Sequence, residues 1–191
     1  MSDYRVGVEL VFPAPARPCY KFSSVEKNKA ESERIPHGVV FCLAINQCGE
    51  LLRIRRSKQK EPYPDHNSVP AGHMEVREDS RFETPEETAV RELWEETRLA
   101  PFYMKQFLGD EYIFDKDKGH VGFAYLMPVG PCPLPVFNEE IEPMESRFEP
   151  LDEIARKLET EKWTPPSRQI VEKLVASYPD GLEKVYRRLV A

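Results

Sequence analysis

Three glutamates on one turn of a predicted helix carry the clearest chemistry in the sequence. Glu92 and Glu96 are four residues apart, and Glu92 and Glu95 are three apart, so the three carboxylates share one helix face. Like charges at these spacings destabilise a helix by roughly 0.2–0.5 kcal/mol per pair, and a bound divalent cation would reverse that effect. Clustered carboxylate oxygens are the ligands that Mg²⁺ prefers. A solvated acidic face has the same pattern, so the helix alone leaves both interpretations open.

The segment before this helix favours the metal interpretation. The run VPAGH, Val69 to His73, ends a predicted strand, and a loop rich in carboxylates follows it. The carboxylates of this loop are Glu75, Glu78, Asp79 and Glu83. A small-residue loop that leads into an acidic helix can bring backbone groups and carboxylates together around a metal ion bound to phosphate.

The helix that positions the glutamates has defined ends in the sequence. Thr84 is a suitable N-cap, Pro85 suits the first helical position, and Glu87 completes a T-x-x-E capping box. Pro101 prevents the helix from running far past Leu99. A mostly apolar stripe predicts the face that packs on the core, and its members are Ala89, Val90, Leu93, Trp94 and Thr97.

Strands and helices mixed along the rest of the chain predict one α/β domain. Residues 38–45 and 51–55 form apolar runs around an Asn46 to Gly49 turn, which predicts a hairpin. Further strands are predicted over 102–114 and 120–127, and helices over 151–158, 167–177 and 182–190.

The segment from Gly72 to Leu99 resembles the signature of the Nudix hydrolase family, G-x5-E-x7-R-E-U-x-E-E-x-G-U, in which U is a bulky apolar residue. RELWEE, from Arg91 to Glu96, matches R-E-U-x-E-E in full. Two positions depart from the pattern. The early glutamate is either Glu78, at the right distance from Gly72, or Glu83, at the right distance from Arg91.

The second departure is Arg98, which stands where the family has glycine. Glycine there permits a left-handed exit from the helix, and that conformation costs more for arginine. The sequence therefore predicts that the helix ends in a different way.

The resemblance, which extends from about Pro36 to Ser177, implies an α/β/α sandwich around a mixed sheet. It also implies hydrolysis of a pyrophosphate bond in a nucleoside diphosphate linked to another group. By resemblance, Glu92, Glu95 and Glu96 hold divalent ions, with Mg²⁺ as the cofactor and Mn²⁺ as an alternative. Arg91 is expected to orient a carboxylate within the signature and not to touch the substrate.

The resemblance leaves the general base open. One of the signature glutamates is a candidate, for which we take Glu95, and a glutamate of a later loop is another. Spacing back from Phe148 favours Glu142 in that loop, with Glu139 and Glu140 as rivals. An acidic surface loop would have the same sequence.

Three arginines on the second predicted hairpin strand are candidates to bind phosphate: Arg53, Arg55 and Arg56. Of these we take Arg55, together with Gly72 of the small-residue loop, as the substrate-binding residues. A solvated strand face explains the three arginines equally well.

Composition narrows the partners. The 191 residues carry a net charge of −6 and no basic stripe, so long nucleic acid is not expected as a partner. The resemblance to the Nudix family implies a small nucleotide as the substrate. No apolar run approaches the roughly 20 residues that span a bilayer, and the charged N-terminus does not fit a signal peptide. The four cysteines lack C-x-x-C spacing, which argues against a zinc site and predicts a cytoplasmic protein.

Two other functions fit a Nudix-like fold. A nucleotide-sensing module without catalysis is one alternative, but such modules usually lose signature glutamates by family resemblance, and this chain keeps all three. An isoprenoid diphosphate isomerase is another, and its pattern has a cysteine beside histidine and asparagine. Cys42 stands in an apolar strand without such neighbours, which argues against it.

The first 35 residues form an extension to the Nudix-like domain, which we place at residues 36–191. Within the extension, Val6, Val8, Leu10 and Phe12 alternate and predict one strand with an apolar face. Such a strand must pair with its own sheet or with a second subunit. Prolines at 13, 15 and 18 stiffen the arm, which favours a homodimer.

Overall fold

The structure is a computed structural model that describes residues 5–6, 9–11, 19–21, 25–35, 37–77, 82–107, 113–115, 120–130 and 134–191. Within this part of the chain the strands are Arg5–Val6 (β1), Glu9–Val11 (β2), Cys19–Lys21 (β3), Val25–Glu26 (β4), His37–Ile45 (β5), Leu51–Arg55 (β6), Asn67–Ser68 (β7), Ala71–His73 (β8), Lys105–Gln106 (β9), Ile113–Asp115 (β10), His120–Pro128 (β11) and Arg147–Glu149 (β12). The α-helices are Lys27–Glu33 (α1), Pro85–Thr97 (α2), Leu151–Thr160 (α3), Pro165–Ser177 (α4) and Glu183–Val190 (α5).

The central sheet is mixed. Its main path runs β10-β11-β5-β6-β12, while β8 pairs with β5, β7 with β6 and β9 with β11. β11 runs parallel to β5, with His120 opposite His37 and Pro128 opposite Ile45, and the other described pairings of this sheet are antiparallel. Every residue of β5 is buried, as expected for a strand covered on both faces.

Helices cover both faces of this sheet. One face packs on α2 through Leu93 and Ala89, which meet alternate residues of β5 such as Val40 and Cys42. The other face, with Val39, Phe41 and Leu43 among its residues, packs on the last three helices of the chain. The predicted α/β fold, a sandwich of α/β/α type around a mixed sheet, is therefore confirmed.

Helix α2 begins as the sequence predicts. The Thr84 side chain accepts a hydrogen bond from the Glu87 backbone N–H, and the Glu87 carboxylate accepts one from the Thr84 N–H at 3.0 Å. The predicted stripe is only partly right. Ala89, Leu93 and Thr97 are buried, but Val90 is 41% exposed and Trp94 is 49% exposed, and the buried face of the helix instead includes Glu92 and Glu96.

The prediction for the end of α2 is wrong. Arg98 adopts the left-handed conformation, with φ 57° and ψ 19°, and its N–H donates to the Trp94 carbonyl. The Arg98 guanidinium lies over the Trp94 ring, 5.7 Å from its centroid. This cation–π contact and the cap hydrogen bond offset the strain of a non-glycine residue in that conformation.

The described strands of the N-terminal extension pair with one another. β1 is antiparallel to β4, and β2 is antiparallel to β3. Val8 and Phe12 of the predicted strand lie outside the described residues, and the pairing of this arm with a second subunit stays a prediction. Among the described residues, no helix combines the length and apolarity that crossing a bilayer requires.

Candidate active site

A cavity of about 270 Å³ lies between the C-terminal half of α2, strand β8 and the loop before β12. Of the glutamates in the described part of the chain, six line it: Glu75, Glu92, Glu95, Glu96, Glu139 and Glu140. Two cationic side chains, Lys60 and Arg91, line it as well. The cavity therefore brings together the three signature glutamates with a compact set of charges suited to a cation and phosphate.

Gly72 lets Glu92 approach the β8 backbone. A Cβ atom built at Gly72 would lie 1.9 Å from Cδ and Oε1 of Glu92, closer than any real contact. The neighbouring backbone also holds a second signature carboxylate, because the Ala71 N–H donates to Oε2 of Glu96 at 3.2 Å. The small residues before the signature thus create the space that two of its carboxylates occupy.

Two of the signature carboxylates are buried next to each other. Glu92 is 9% exposed and Glu96 is 7% exposed. Burial raises the pKa of Glu92 to about 7, against the opposing effect of Arg91. Burial, followed by the charge of Glu92, raises the pKa of Glu96 well above its usual range. Buried carboxylates that repel each other are a donor set that a hard divalent cation fits.

Arg91 connects the helix to the loop before it. Its Nε and Nη2 atoms donate to the two carboxylate oxygens of Glu83, both at 2.9 Å. Its Nη2 also donates to the His73 carbonyl at 2.8 Å, and its Nη1 donates to Glu92 and Glu95 at 2.7 and 3.0 Å. Arg91 therefore contacts carboxylates of both the signature helix and the loop before it.

The contact between Arg91 and Glu83 bears on the early signature glutamate. Glu83 is 4% exposed and also accepts a hydrogen bond from the Thr88 hydroxyl at 3.0 Å. Burial acts to raise its pKa, but the hydrogen bonds from Arg91 and Thr88 lower it below the usual value. Of the two candidates for the early signature glutamate, Glu83 therefore pairs with Arg91. The other candidate, Glu78, lies outside the described residues.

The loop that precedes β12 is tied to the end of α2. The Val136 N–H donates to the Thr97 carbonyl at 2.8 Å, and the Asn138 N–H donates to the Glu96 carbonyl at 3.2 Å. This arrangement places Glu139 and Glu140 on the cavity wall.

Glu142 of the same loop does not line the cavity. Its N–H donates to the Arg55 carbonyl at 2.8 Å, and it directly precedes the short 3-10 helix Pro143–Glu145. Among the described loop carboxylates, Glu139 and Glu140 are therefore better placed to reach a bound substrate than Glu142.

The three candidate phosphate-binding arginines have different partners. Arg53 is buried and forms two hydrogen bonds with Glu149, each of 2.9 Å. Arg55, the predicted substrate ligand, donates to Asp65 at 3.1 Å and does not line the cavity.

Arg56 lines a second, smaller cavity of about 120 Å³ that shares Lys60, Gly72 and His73 with the first. Its Nε donates to the Tyr63 carbonyl at 3.2 Å. Of the three candidate arginines, Arg56 is therefore the one that lines a cavity adjoining the glutamates.

Sequence reasoning missed Lys60 as a member of the site, and it named Glu75 only as one of the carboxylates of the loop before α2. Lys60 stands in a polar loop without a spacing signal, and it reaches the cavity because the loop folds back so that Lys60 forms an ion pair with Glu140. A larger cavity, of about 570 Å³, lies elsewhere, among Gly49, Asp152 and Leu182. We assign the chemistry to the smaller cavity because that one contains the paired carboxylates and cations.

The model of the NUDIX domain family matches residues 35–174 of the chain. The chain belongs to the Nudix family. Among curated proteins, none is significantly similar to it in sequence. The Nudix signature is thus accompanied by a match over most of the chain.

Solved structures share the Nudix fold at low sequence identity. The MutT protein from Methanosarcina mazei Go1 is 22% identical, with 73% of this chain and 93% of that protein covered and a TM-score of 0.55. The Nudix domain of NrtR from Shewanella oneidensis, complexed with ADP-ribose, is 18% identical, with 73% and 86% covered and a TM-score of 0.56. A bifunctional NMN adenylyltransferase/ADP-ribose pyrophosphatase from Francisella tularensis is 18% identical, with 78% and 46% covered and a TM-score of 0.53.

The position of Cys42 does not fit the isomerase alternative within the Nudix fold. Its thiol is buried under α2 and donates to the Ala89 carbonyl at 3.3 Å. Burial, followed by the charge of Glu92, raises the pKa of this thiol well above its usual value. A thiol with these surroundings is a core side chain and a poor nucleophile.

Proposed function

We propose that this Nudix protein hydrolyses a pyrophosphate bond in a nucleoside diphosphate linked to another group, and that it depends on a divalent metal ion. The observation that carries the proposal is the burial of Glu92 and Glu96 side by side in a cavity that also contains Glu95, Lys60 and Arg91. Such a cluster is electrostatically unfavourable alone and becomes favourable with a cation.

Glu92, Glu95 and Glu96 are the residues that would hold the ion, with Mg²⁺ as the first choice and Mn²⁺ as the alternative. Their donor set consists of carboxylate oxygens, which hard divalent cations select. When bound, the ion supplies positive charge and Lewis acidity to the pyrophosphate oxygens. Gly72 supports this role, because any side chain at that position would displace Glu92.

The remaining residues of the site orient the substrate and move a proton. Lys60 lines the glutamate cavity and Arg56 lines the smaller cavity that adjoins it, so we propose that both offer positive charge to phosphate oxygens. Glu139 and Glu140 lie on the wall formed by the later loop, and we propose that one of them accepts a proton from the attacking water. Glu95, which is half exposed at 52%, is the signature carboxylate best placed to share this role.

ADP-ribose is the first substrate to test. The solved Nudix domain of NrtR is complexed with it, and the bifunctional Francisella tularensis protein is an ADP-ribose pyrophosphatase. The experiment incubates the full chain with ADP-ribose and a panel of other nucleoside diphosphate derivatives, with Mg²⁺, with Mn²⁺ or with excess chelator. We expect metal-dependent release of a nucleoside monophosphate from at least one of them.

The same panel separates hydrolysis from nucleotide sensing. A sensing module would bind a panel member, seen by calorimetry, and leave it intact over hours with Mg²⁺ or Mn²⁺. Binding without turnover across the whole panel would therefore replace the proposed activity with the sensing alternative.

Location and assembly belong to the proposal as well. The cysteine spacing is typical of a reducing compartment, so a cytoplasmic location is proposed.

A homodimer formed through the N-terminal extension is proposed from the prolines and the apolar positions of that arm. Light scattering on the full chain and on a chain without residues 1–18 tests it, and two monomers of the expected masses would exclude the dimer.

A further inference from the structure

Three histidines meet at one end of the central sheet, apart from the glutamate cluster. The ring centroids of His37 and His120 are 4.8 Å apart, those of His37 and His73 are 5.2 Å apart, and those of His73 and His120 are 5.3 Å apart. One nitrogen from each ring lies within 4.8 Å of the other two, and the Nε2 atoms of all three are buried. Three imidazoles are thus gathered around one point.

Strand register produces this cluster. His37 and His120 are the first residues of β5 and β11 and lie opposite each other in the parallel pair. His73 ends β8 and lies opposite Val39, two residues after His37 on β5. Paired residues and residues two apart share one face of a sheet, so all three side chains project from the same face.

That face is the one opposite the glutamates. Gly72 faces Glu92 and helix α2, and because side chains alternate along a strand, His73 projects to the other side of the sheet. The two clusters are therefore separated by the thickness of β8, although His73 borders both cavities.

A backbone hydrogen bond prepares His37 for metal binding. Its Nδ1 lies 2.7 Å from the Ile35 carbonyl oxygen. A carbonyl only accepts, so Nδ1 of the neutral ring carries the proton and Nε2 is the nitrogen with a lone pair for a metal ion. Histidine ligands of metal ions commonly have this arrangement, in which the second ring nitrogen is fixed by a carbonyl or carboxylate.

We propose that His37, His73 and His120 form a binding site for a borderline transition-metal ion, with Zn²⁺ as the reference ion. Imidazole nitrogens suit Zn²⁺ and its neighbours, whereas Mg²⁺ selects oxygen. Nitrogens at the usual bond length of about 2.0–2.1 Å in a tetrahedral site are about 3.3 Å apart, so modest ring rotations close the site. The cysteine pattern that argued against zinc has no bearing on histidine ligands.

Three histidines leave one coordination position for water or an anion. His73 and His120 line the cavity of about 120 Å³ that is also lined by Arg56 and Tyr63, so the open position faces a cavity with a cationic side chain. An ion there would also join the ends of β5, β8 and β11, so binding is expected to raise thermal stability.

The test is titration of the full chain with Zn²⁺, followed by calorimetry, and with Co²⁺, followed by its visible absorption, both in excess Mg²⁺. We expect one equivalent of each ion to bind. The absorption spectrum of bound Co²⁺ is expected to be that of an ion with few ligands, and Zn²⁺ is expected to increase the Tm. His120→Asn is expected to weaken binding tenfold or more and to abolish the spectrum.

His66→Asn is the matched control, because His66 is the one histidine of the sequence outside the cluster and makes the same type of hydrogen bond, from Nδ1 to the Pro64 carbonyl at 2.7 Å. It is expected to bind both ions like the wild type. Circular dichroism of each variant establishes that it is folded, and His73→Asn replaces His120→Asn if the latter is not. A wild-type chain that binds no Zn²⁺, or equal binding by wild type and a folded cluster variant, would overturn the site.

Glu96→Gln distinguishes the two sites. The histidine site predicts that this variant keeps Zn²⁺ and Co²⁺ binding unchanged. Loss of that binding in Glu96→Gln would place the ion at the glutamates and overturn the histidine site. Because the readouts are binding and absorption, the result does not depend on whether the proposed hydrolysis is found.

Discussion

The Glu92 carboxylate lies where a side chain at position 72 would be: a Cβ at Gly72 would lie 1.9 Å from the carboxylate carbon of Glu92. The glycine stands on β8 and the glutamate on α2, twenty residues further along the chain. The pairing of β8 with β5 and the packing of α2 on β5 bring the two together. The glycine is therefore needed for close approach and not for an unusual backbone conformation.

Gly72→Ala is expected to displace the Glu92 carboxylate and to lower the rate of hydrolysis about 10²-fold, as misplacement by about 1 Å can do. The extra methyl is expected to lower the free energy of unfolding by about 1–3 kcal/mol. Kinetics at saturating Mg²⁺ and urea denaturation measure both effects. Gly130→Ala is the control, because a Cβ there meets only Phe102 at 3.9 Å, and it is expected to leave the rate unchanged. Equal rates for Gly72→Ala and wild type would contradict the account of Gly72.

Glu83→Gln tests the ion pair with Arg91. This variant loses charge-assisted hydrogen bonds to Arg91 in a buried setting, so the free energy of unfolding is expected to fall by about 2 kcal/mol. Glu95→Gln is the comparison, because Glu95 is 52% exposed and its loss relieves repulsion. Its free energy of unfolding is expected to change by less than about 0.5 kcal/mol. If urea denaturation shows equal losses for both variants, Glu83 does not have the structural role assigned to it.

The later loop provides a comparison among three neighbouring carboxylates. Glu139→Gln and Glu140→Gln remove groups on the cavity wall, and we expect at least one of them to lower kcat about 10²-fold or more. Glu142→Gln is expected to lower kcat less than that variant does. The measurement is kcat at saturating substrate and Mg²⁺. A larger loss for Glu142→Gln than for either neighbour would return the role to Glu142, as spacing in the sequence favoured.

Glu149 is expected to make stability depend on acid pH. Burial acts to raise its pKa, but hydrogen bonds from Arg53 and Lys157 lower it from 4.5 to about 2. The folded chain therefore holds the proton less tightly than the unfolded chain, so this contribution to stability is present above about pH 4.5 and is lost as the pH falls toward about 2. Glu149→Gln is expected to be about 3 kcal/mol less stable at pH 7. Urea denaturation should show this gap narrowing between about pH 5 and about pH 2, and a constant gap would contradict the pairing.

Local patterns in the sequence predicted the helix and its start. The capping box of Thr84 and Glu87 involves residues three apart, and the spacing of Glu92, Glu95 and Glu96 follows from helical geometry. The exposure of Trp94 could not be predicted from periodicity, because a residue at the margin of an apolar stripe is buried only if a neighbouring element covers it. Arg98 shows a similar limit, since its contact with Trp94 supports a conformation that propensity alone disfavours.

Contacts between distant segments could not be predicted from the sequence. Whether Arg55 or Arg56 lines the smaller cavity beside the glutamates depends on where β6 ends and on the path of the loop that follows it. The histidine cluster depends on the register of β5, β8 and β11, which no spacing along the chain encodes. Family resemblance supplied the glutamates that we propose as metal ligands, but it carried no information about these residues outside the signature.

The central claim is that Glu92, Glu95 and Glu96 hold the ion on which hydrolysis depends, and Mg²⁺ titration of hydrolysis in wild type and Glu96→Gln tests it most directly. The account predicts no turnover in excess chelator, turnover that saturates with Mg²⁺ in the wild type, and a kcat about 10²-fold or more lower in a folded Glu96→Gln variant. It also predicts that Mg²⁺ raises the Tm of the wild type more than that of the variant. Full activity in excess chelator, or the same Mg²⁺ dependence and kcat in both proteins, would contradict it.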